Sequence, residues 1–162
     1  MKKLHLSWNQ IEYHIDQLVH DIETSKKKYD WVIGINRGGL IPSVRISHRL
    51  KISHGVITTT HYVEDKMLDE VKKDFNISGI KDIKHHHNIL LVDDIADSGI
   101  CLKETIEAVR QIDLDINNIQ TATLFYKPKS IIKPNYFAEE IEDKIWIVFP
   151  WEEQKLKNAV GV

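Results

Sequence analysis

Residues 88–101, NILLVDDIADSGIC, decide the fold. Apolar side chains dominate from Asn88 to Val92, which is typical of a parallel strand that is buried on both faces of a sheet. The small and acidic residues that follow lead into a pattern that predicts a helix from about Cys101 to Gln111. A strand that runs into a loop and then a helix is the repeating unit of an α/β fold.

The same alternation extends in both directions from this stretch. Strand patterns lie at residues 31–35, 55–60, 119–126 and 144–149, and helix patterns run from Ser7 to about Lys26 and from Leu40 to Leu50. Crossover connections of this kind are almost always right-handed and join parallel strands. The predicted fold class is therefore α/β, with a doubly wound, mostly parallel sheet.

The composition is that of one globular domain spanning residues 1–162. Hydrophobic side chains make up 42% and charged ones 28% of the chain, which excludes a disordered or fibrous protein. The single Cys101 excludes an internal disulfide, and a chain of this length can build a stable core without one.

Charge and hydropathy exclude several classes of partner. The formal net charge of -2 provides no general field for nucleic acid or an anionic membrane, so an anion site must be local. No stretch approaches 18 apolar residues, and the first residues lack the pattern of a secretory signal. We expect a cytoplasmic enzyme that binds neither nucleic acid nor membranes.

The stretch 61–87 is polar, weakly periodic and longer than a usual connection, so it is predicted to be a mobile lid. It ends in His85, His86 and His87. Consecutive histidines cannot all point at one ion, and no acidic or cysteine partner stands at ligand spacing. These histidines are therefore interpreted as a solvated loop.

The carboxyl ends of parallel strands are where ligands gather in such sheets. After the strand at 88–92, the loop from Ala96 to Gly99 opens a helix, whose free backbone N–H groups suit a phosphate. Asp93 and Asp94 would repel a phosphate unless they bound hydroxyl groups or a divalent cation. The combination predicts a phosphorylated sugar with Mg²⁺. The alternative is that these carboxylates only cap the helix, although one would suffice for a cap.

This stretch resembles the phosphoribosyl diphosphate (PRPP) signature of type I phosphoribosyltransferases. The resemblance implies that Asp93 and Asp94 bind the ribose hydroxyls and help to hold Mg²⁺. It implies that the 5′-phosphate is held by the residues that follow, namely Ala96, Asp97, Ser98, Gly99, Ile100 and Cys101.

Because it contains Asp97, the stretch is most similar to that of the bacterial xanthine-guanine and hypoxanthine enzymes of that family. In enzymes that use 6-oxopurines, the corresponding Asp lies near N7 of the base as a general acid or base. Ile100 and Cys101 depart from the family pattern, which often has a small residue and then Thr. The departure removes one hydroxyl donor to the phosphate.

Asn36, Arg37 and Gly38 resemble the family's pyrophosphate loop, in which a non-proline peptide bond is often cis. Arg37 would donate charge-assisted hydrogen bonds to the diphosphate. A purely structural interpretation is a tight turn at residues 36–39 that needs glycine for its backbone angles.

The base side of the resemblance involves the last part of the chain. Lys127 is similar to the lysine that donates to O6 of the purine, and Trp146 to the aromatic that stacks on the base. Ile147 and Glu152 would contact the exocyclic group at C2. The alternatives are a solvated Lys127 and a Trp146 that fills the core.

The implied activity is transfer of the phosphoribosyl group from PRPP to a 6-oxopurine, with release of pyrophosphate, in a homo-oligomeric enzyme. The resemblance implies an N-terminal helix within residues 1–30, a lid at 61–87 and a hood formed by the chain ends, with base-binding residues in 127–162. A non-catalytic regulator that senses PRPP or a nucleotide remains an alternative, disfavoured by the absence of excess basic charge. A receiver domain is a weaker one, because Gly34, Ile35 and Asn36 offer no acceptor carboxylate.

Overall fold

The computed structural model describes residues 2–58, 62–63, 66–67, 76–78, 88–112 and 118–152. The helices are α1 (Trp8–Thr24), α2 (Leu40–Leu50) and α3 (Ile100–Ile112). The strands are β1 (Lys2–His5), β2 (Trp31–Asn36), β3 (Ser53–Thr58), β4 (Tyr62–Val63), β5 (Lys66–Met67), β6 (Asn76–Ser78), β7 (Ile89–Ala96), β8 (Ile119–Tyr126), β9 (Tyr136–Glu140) and β10 (Ile145–Val148).

Six strands form the main sheet in the order β6, β3, β2, β7, β8, β9. The pairs from β3 through β9 are parallel, and β6 pairs antiparallel with β3 at one edge. The predicted mostly parallel sheet is confirmed.

Helices cover both faces of this sheet, as expected for a doubly wound fold. Val32 packs with α1 and α2 in one core, whereas its neighbour Ile33 packs with α3 in the other. Successive side chains of a strand point to opposite faces, which is why the central strands are apolar without interruption.

Helix α1 begins where its sequence predicts. Ser7 Oγ accepts from the Gln10 backbone N–H at 3.3 Å, and Gln10 Oε1 accepts from the Ser7 backbone N–H at 2.9 Å. This reciprocal capping box satisfies two donors that the first helical turn leaves free. The helix ends at Thr24, slightly before the expected Lys26.

The chain ends pair with each other in a separate two-stranded sheet. Strand β1 runs parallel to β10, with Lys3 opposite Trp146, and the Leu6 N–H donates to Val148 O at 3.1 Å. Neither β1 nor β9 was predicted, because KKLH and YFAEE lack the apolar run of a buried strand. Both are largely exposed or half-buried, so hydrophobicity does not reveal them.

Other boundaries also differ from the predictions. Strand β3 begins at Ser53 rather than Gly55 and ends at Thr58. Strand β7 continues through Ala96 rather than ending at Val92. The predicted lid and its histidines lie outside the described residues, apart from the backbone of the three short strands β4, β5 and β6. No described helix is both long enough and apolar enough to cross a membrane.

Candidate active site

Three of the predicted site segments meet at the carboxyl ends of β2, β7 and β8. The Lys127 N–H donates to Ala96 O at 3.0 Å, and the Ile131 N–H donates to Ser98 O at 3.0 Å. The turn after β8 is therefore fastened to the loop between β7 and α3. The loop after β2 packs against the end of β7 from the other side.

Asp93 and Asp94 lie within β7 and not in a loop after it, which corrects the expectation from sequence. Asp93 Oδ1 accepts from the Asp94 N–H at 2.9 Å. The interpretation of these residues as helix caps is wrong, because Ser98 Oγ accepts from the Ile100 N–H at 3.3 Å at the start of α3. Neither aspartate is therefore needed to begin α3.

Burial sets the electrostatics of this pair. Loss of solvent, followed by the Asp94 charge, raises the pKa of Asp93 well above its usual range, although the Cys101 thiol donates to it. Loss of solvent, followed by the Glu152 charge, raises the pKa of Asp94 to about 7. Negative charge is therefore costly here until a ligand compensates for it.

This carboxylate pair fits a divalent cation that a substrate helps to hold. Within the described residues, no group of three or more His, Cys, Asp or Glu side chains could hold a metal alone. Mg²⁺ is commonly bound by one or two carboxylates together with substrate phosphates and water. A cation would offset both the loss of solvent and the neighbouring negative charges, which together raise the pKa values of Asp93 and Asp94.

Asp97 has the opposite environment. Lys127 Nζ lies 2.9 Å from its Oδ2, and Lys129 Nζ lies 2.6 Å from its Oδ1. Burial raises the pKa of Asp97, but the Lys129 and Lys127 ammonium groups outweigh burial and hold the pKa below its usual range. This carboxylate stays ionised.

The alternative interpretation, a solvated Lys127, is wrong, because the Lys127 side chain is only 2% exposed. Sequence reasoning also missed Lys129 altogether. The signal was the short spacing in Lys127-Pro128-Lys129, which places two cations on one turn.

The loop between β7 and α3 is tightly packed at Gly99. Its φ is +78°, in the region that favours glycine. A Cβ there would overlap Ser130 Oγ and lie 2.9 Å from Ile132 N. Glycine therefore allows the turn after β8 to lie directly against the loop between β7 and α3.

The loop after β2 also uses glycine for close approach. A Cβ on Gly38 would overlap Asp94 Oδ2, and one on Gly39 would lie 2.9 Å from Asp93 Cα. Neither glycine has a positive φ, so the expected requirement for special backbone angles is wrong. The Asn36–Arg37 peptide bond is cis, as the resemblance implied, and Arg37 is exposed.

Of the residues that were expected to bind the base in the last part of the chain, some lie at the surface and one lies in the core. Trp146 is 50% exposed on β10, so the interpretation that it fills the core is wrong. Ile147 is buried on β10, opposite Leu4 of β1. Glu152 is exposed, and its Oε2 accepts from the Phe149 N–H at 3.1 Å.

Comparison with known proteins identifies the family. The model of the phosphoribosyl transferase domain matches residues 6–156. The chain belongs to this family. The phosphoribosyltransferase resemblance drawn from the β7 stretch is therefore confirmed, together with the fold that it implied.

Relatives of this phosphoribosyltransferase match it over nearly its whole length. A xanthine-guanine phosphoribosyltransferase of Cereibacter sphaeroides is 28% identical over 156 residues, covering 93% of this chain and 87% of the relative. The crystal structure of a purine phosphoribosyltransferase from Pyrococcus horikoshii is 34% identical with a TM-score of 0.76, covering 94% and 96% of the two chains. A Neisseria gonorrhoeae protein solved with bound ppGpp is 25% identical with a TM-score of 0.72, covering 95% and 91%.

Proposed function

We propose that this phosphoribosyltransferase transfers the 5-phosphoribosyl group from PRPP to a 6-oxopurine base. The products are pyrophosphate and a purine nucleoside 5′-monophosphate. The observation that carries the proposal is the Asp97–Lys127 pair, whose Oδ2 and Nζ atoms lie 2.9 Å apart. A 6-oxopurine presents an N7–H donor beside an O6 acceptor, and the pair offers the complementary acceptor and donor. Adenine has an amino donor in place of O6, so it would face the Lys127 ammonium unfavourably.

The sugar phosphate would bind along the end of β7 and the loop after it. Asp93 and Asp94 would accept hydrogen bonds from the ribose hydroxyls, and residues 96–101 would hold the 5′-phosphate at the start of α3. Asn36, Arg37 and Gly38 would bind the diphosphate through backbone N–H groups and the Arg37 guanidinium. The close packing of Gly38 against Asp94 supports a single continuous site.

The chemistry is displacement of pyrophosphate from C1′ by a purine nitrogen. Positive charge develops on the ribose and negative charge on the leaving diphosphate, so Arg37 stabilises the transition state more than the ground state. Asp93 and Asp94, together with the substrate, would hold Mg²⁺, which would neutralise part of the diphosphate charge. Asp97 accepts or returns the proton at N7, and the segment 61–87 would close over the site to exclude water.

The base would lie between the turn after β8 and the hood. Stacking on Trp146 contributes roughly 1–3 kcal/mol for such a base. Ile147 would offer a backbone carbonyl and Glu152 a carboxylate to the group at C2. We expect the enzyme to act as a dimer or tetramer in the cytoplasm.

The test is an assay of hypoxanthine, guanine, xanthine and adenine, each with PRPP and Mg²⁺, following pyrophosphate release. We expect turnover of at least one 6-oxopurine and at least tenfold lower kcat/KM with adenine. The Lys127→Met variant is the matched probe, since it should lower the preference for 6-oxopurines over adenine. Failure of the wild type to release pyrophosphate with any 6-oxopurine would contradict the proposal.

A second candidate is a nucleotide sensor with the same fold, favoured by the ppGpp bound to the neisserial neighbour. Calorimetric titration with ppGpp, alongside salt-dependent binding of RNA and DNA, distinguishes the two. Nucleotide binding without turnover of any base would favour the sensor over the enzyme.

A further inference from the structure

Lys129 is anchored at both ends. Its backbone N–H donates to Asp143 Oδ1 at 3.2 Å, in the turn that precedes β10. Its Nζ lies 2.6 Å from Asp97 Oδ1, in the loop that precedes α3. Pro128, just before it, fixes one backbone angle of this turn. Lys129 therefore links the turn before β10, through Asp143, to the loop before α3, through Asp97.

The two lysines hold different oxygens of the same carboxylate. Lys127 pairs with Oδ2 from a buried position, and Lys129 pairs with Oδ1 from the rim of the site, where its side chain is 46% exposed. A carboxylate held at one oxygen by Lys127 alone would lose its support when that ammonium turned to a ligand. The contact with Lys129 at Oδ1 does not depend on that event.

We propose that Lys129 is a positioning residue that holds Asp97 by Oδ1, so that Oδ2 stays directed at the purine N7 when Lys127 engages O6. This inference rests on the proposed function, because it assigns Oδ2 and Lys127 to the base. It adds a residue outside the set drawn from the resemblance. The positioning matters because misplacing a reacting group by about 1 Å can cost on the order of 100-fold in rate.

The charged groups around this contact are few. Lys127 and Lys129 face Asp97, and Asp143 faces Lys129. The next lysine along the chain, Lys133, is directed elsewhere, since its Nζ lies 5.5 Å from the centre of the Tyr126 ring. Removing Lys129 therefore removes one of two cations from Asp97 and should leave the other in place.

The first measurement needs no turnover. Carbon-13 NMR of labelled aspartates follows the titration of Asp97 in the ligand-free protein, with Asp97→Asn assigning the signal. Lys129→Met should raise the midpoint of this titration, because it removes a cation that favours the ionised carboxylate. Lys129→Arg should restore the midpoint, and the exposed control Lys144→Met should leave it unchanged.

The second measurement is steady-state kinetics against pH. Lys129→Met should lower kcat about tenfold with the KM for PRPP within about twofold of wild type. It should also move the acid limb of the kcat profile to higher pH, because Asp97 would protonate sooner as the pH falls. Lys129→Arg should recover most of kcat, which a general loss of packing would not explain.

Two results would overturn the inference. One is an unchanged Asp97 midpoint in Lys129→Met, whether or not the enzyme turns over. The other is an active Lys129→Met enzyme with unchanged kcat and acid limb. Absence of wild-type turnover with every 6-oxopurine would instead overturn the proposed function and the catalytic role of Lys129 with it, while the NMR midpoint would still decide whether Lys129 holds Asp97.

Discussion

Two carboxylates three residues apart, Asp94 and Asp97, have opposite electrostatic surroundings. Asp94 lies in β7 against Asp93 and Glu152, and its pKa rises to about 7. Asp97 lies in the loop beyond, between Lys127 and Lys129, and its pKa falls. Near the end of β7, the surroundings of Asp94 therefore disfavour ionisation, whereas those of Asp97 favour it.

The difference shows that position along the chain, and not residue type, sets the pKa of these carboxyl groups. Desolvation and neighbouring carboxylates prepare Asp93 and Asp94 for a partner that brings positive charge or hydroxyl donors. Paired ammonium groups keep Asp97 charged, which is the state that the proposed transfer of the N7 proton requires. Separation of pKa values between nearby acids is a common basis for dividing binding from proton transfer.

The largest expected effect comes from Asp97→Asn. This change should lower kcat by about 10²–10⁴-fold, because the amide cannot accept the N7 proton, while the KM for PRPP stays close to wild type. Steady-state kinetics with a 6-oxopurine at saturating PRPP measure both values. A loss of less than threefold in kcat would show that Asp97 takes no part in the proton transfer. The contrast between Asp97 and Asp94 would then have no catalytic meaning.

A smaller effect is expected from changes to the buried carboxylates, Asp93 and Asp94. Asp93→Asn or Asp94→Asn should raise the KM for PRPP by about 10–100-fold, since hydrogen bonds to charged groups contribute roughly 1.5–3 kcal/mol. The change in kcat should be the lesser one. If Asp94→Asn instead reduced kcat as strongly as Asp97→Asn, the two carboxylates would share one role.

The smallest effect concerns the free energy of unfolding, which tests whether the pKa of Asp94 is raised. Because the folded pKa of Asp94 lies above its usual value of 3.8, the free energy of unfolding should fall as pH rises from about 4 to about 7. Asp94→Asn should remove part of this loss and stabilise the ligand-free protein by about 1–2 kcal/mol at pH 8, with little effect at pH 4.

Thermal unfolding at both pH values measures this change. The exposed Asp21 of α1 provides the control, and Asp21→Asn should show no comparable gain at pH 8. Equal stability of wild type and Asp94→Asn across the range would mean that Asp94 is not strained by burial.

The sequence predicts the central sheet well because its strands are apolar on both faces. The run from Ile89 to Val92 is distinctive, and so is the acidic and small-residue loop that follows it. The capping box at Ser7 is local, so it can be recognised without knowledge of the fold. The phosphate-side candidates could therefore be proposed from this stretch together with its resemblance to the PRPP signature.

Contacts between distant segments could not be predicted in the same way. The ion pair of Lys129 with Asp97 depends on the turn after β8 folding over the loop before α3, and the letters Lys-Pro-Lys do not reveal that approach. The position of Trp146 beside Lys3 depends likewise on β1, whose polar residues carry no strand signal. The role of Gly38 appears only when Asp94 is seen beside it.

The pairing of β1 with β10 has a consequence for the order of folding during synthesis. Lys3 leaves the ribosome before the strands of the main sheet, whereas its partner Trp146 leaves it after them. A nascent polypeptide can therefore build the six-stranded sheet and the loop after β7 first. The two-stranded sheet is completed only when β10 returns to β1.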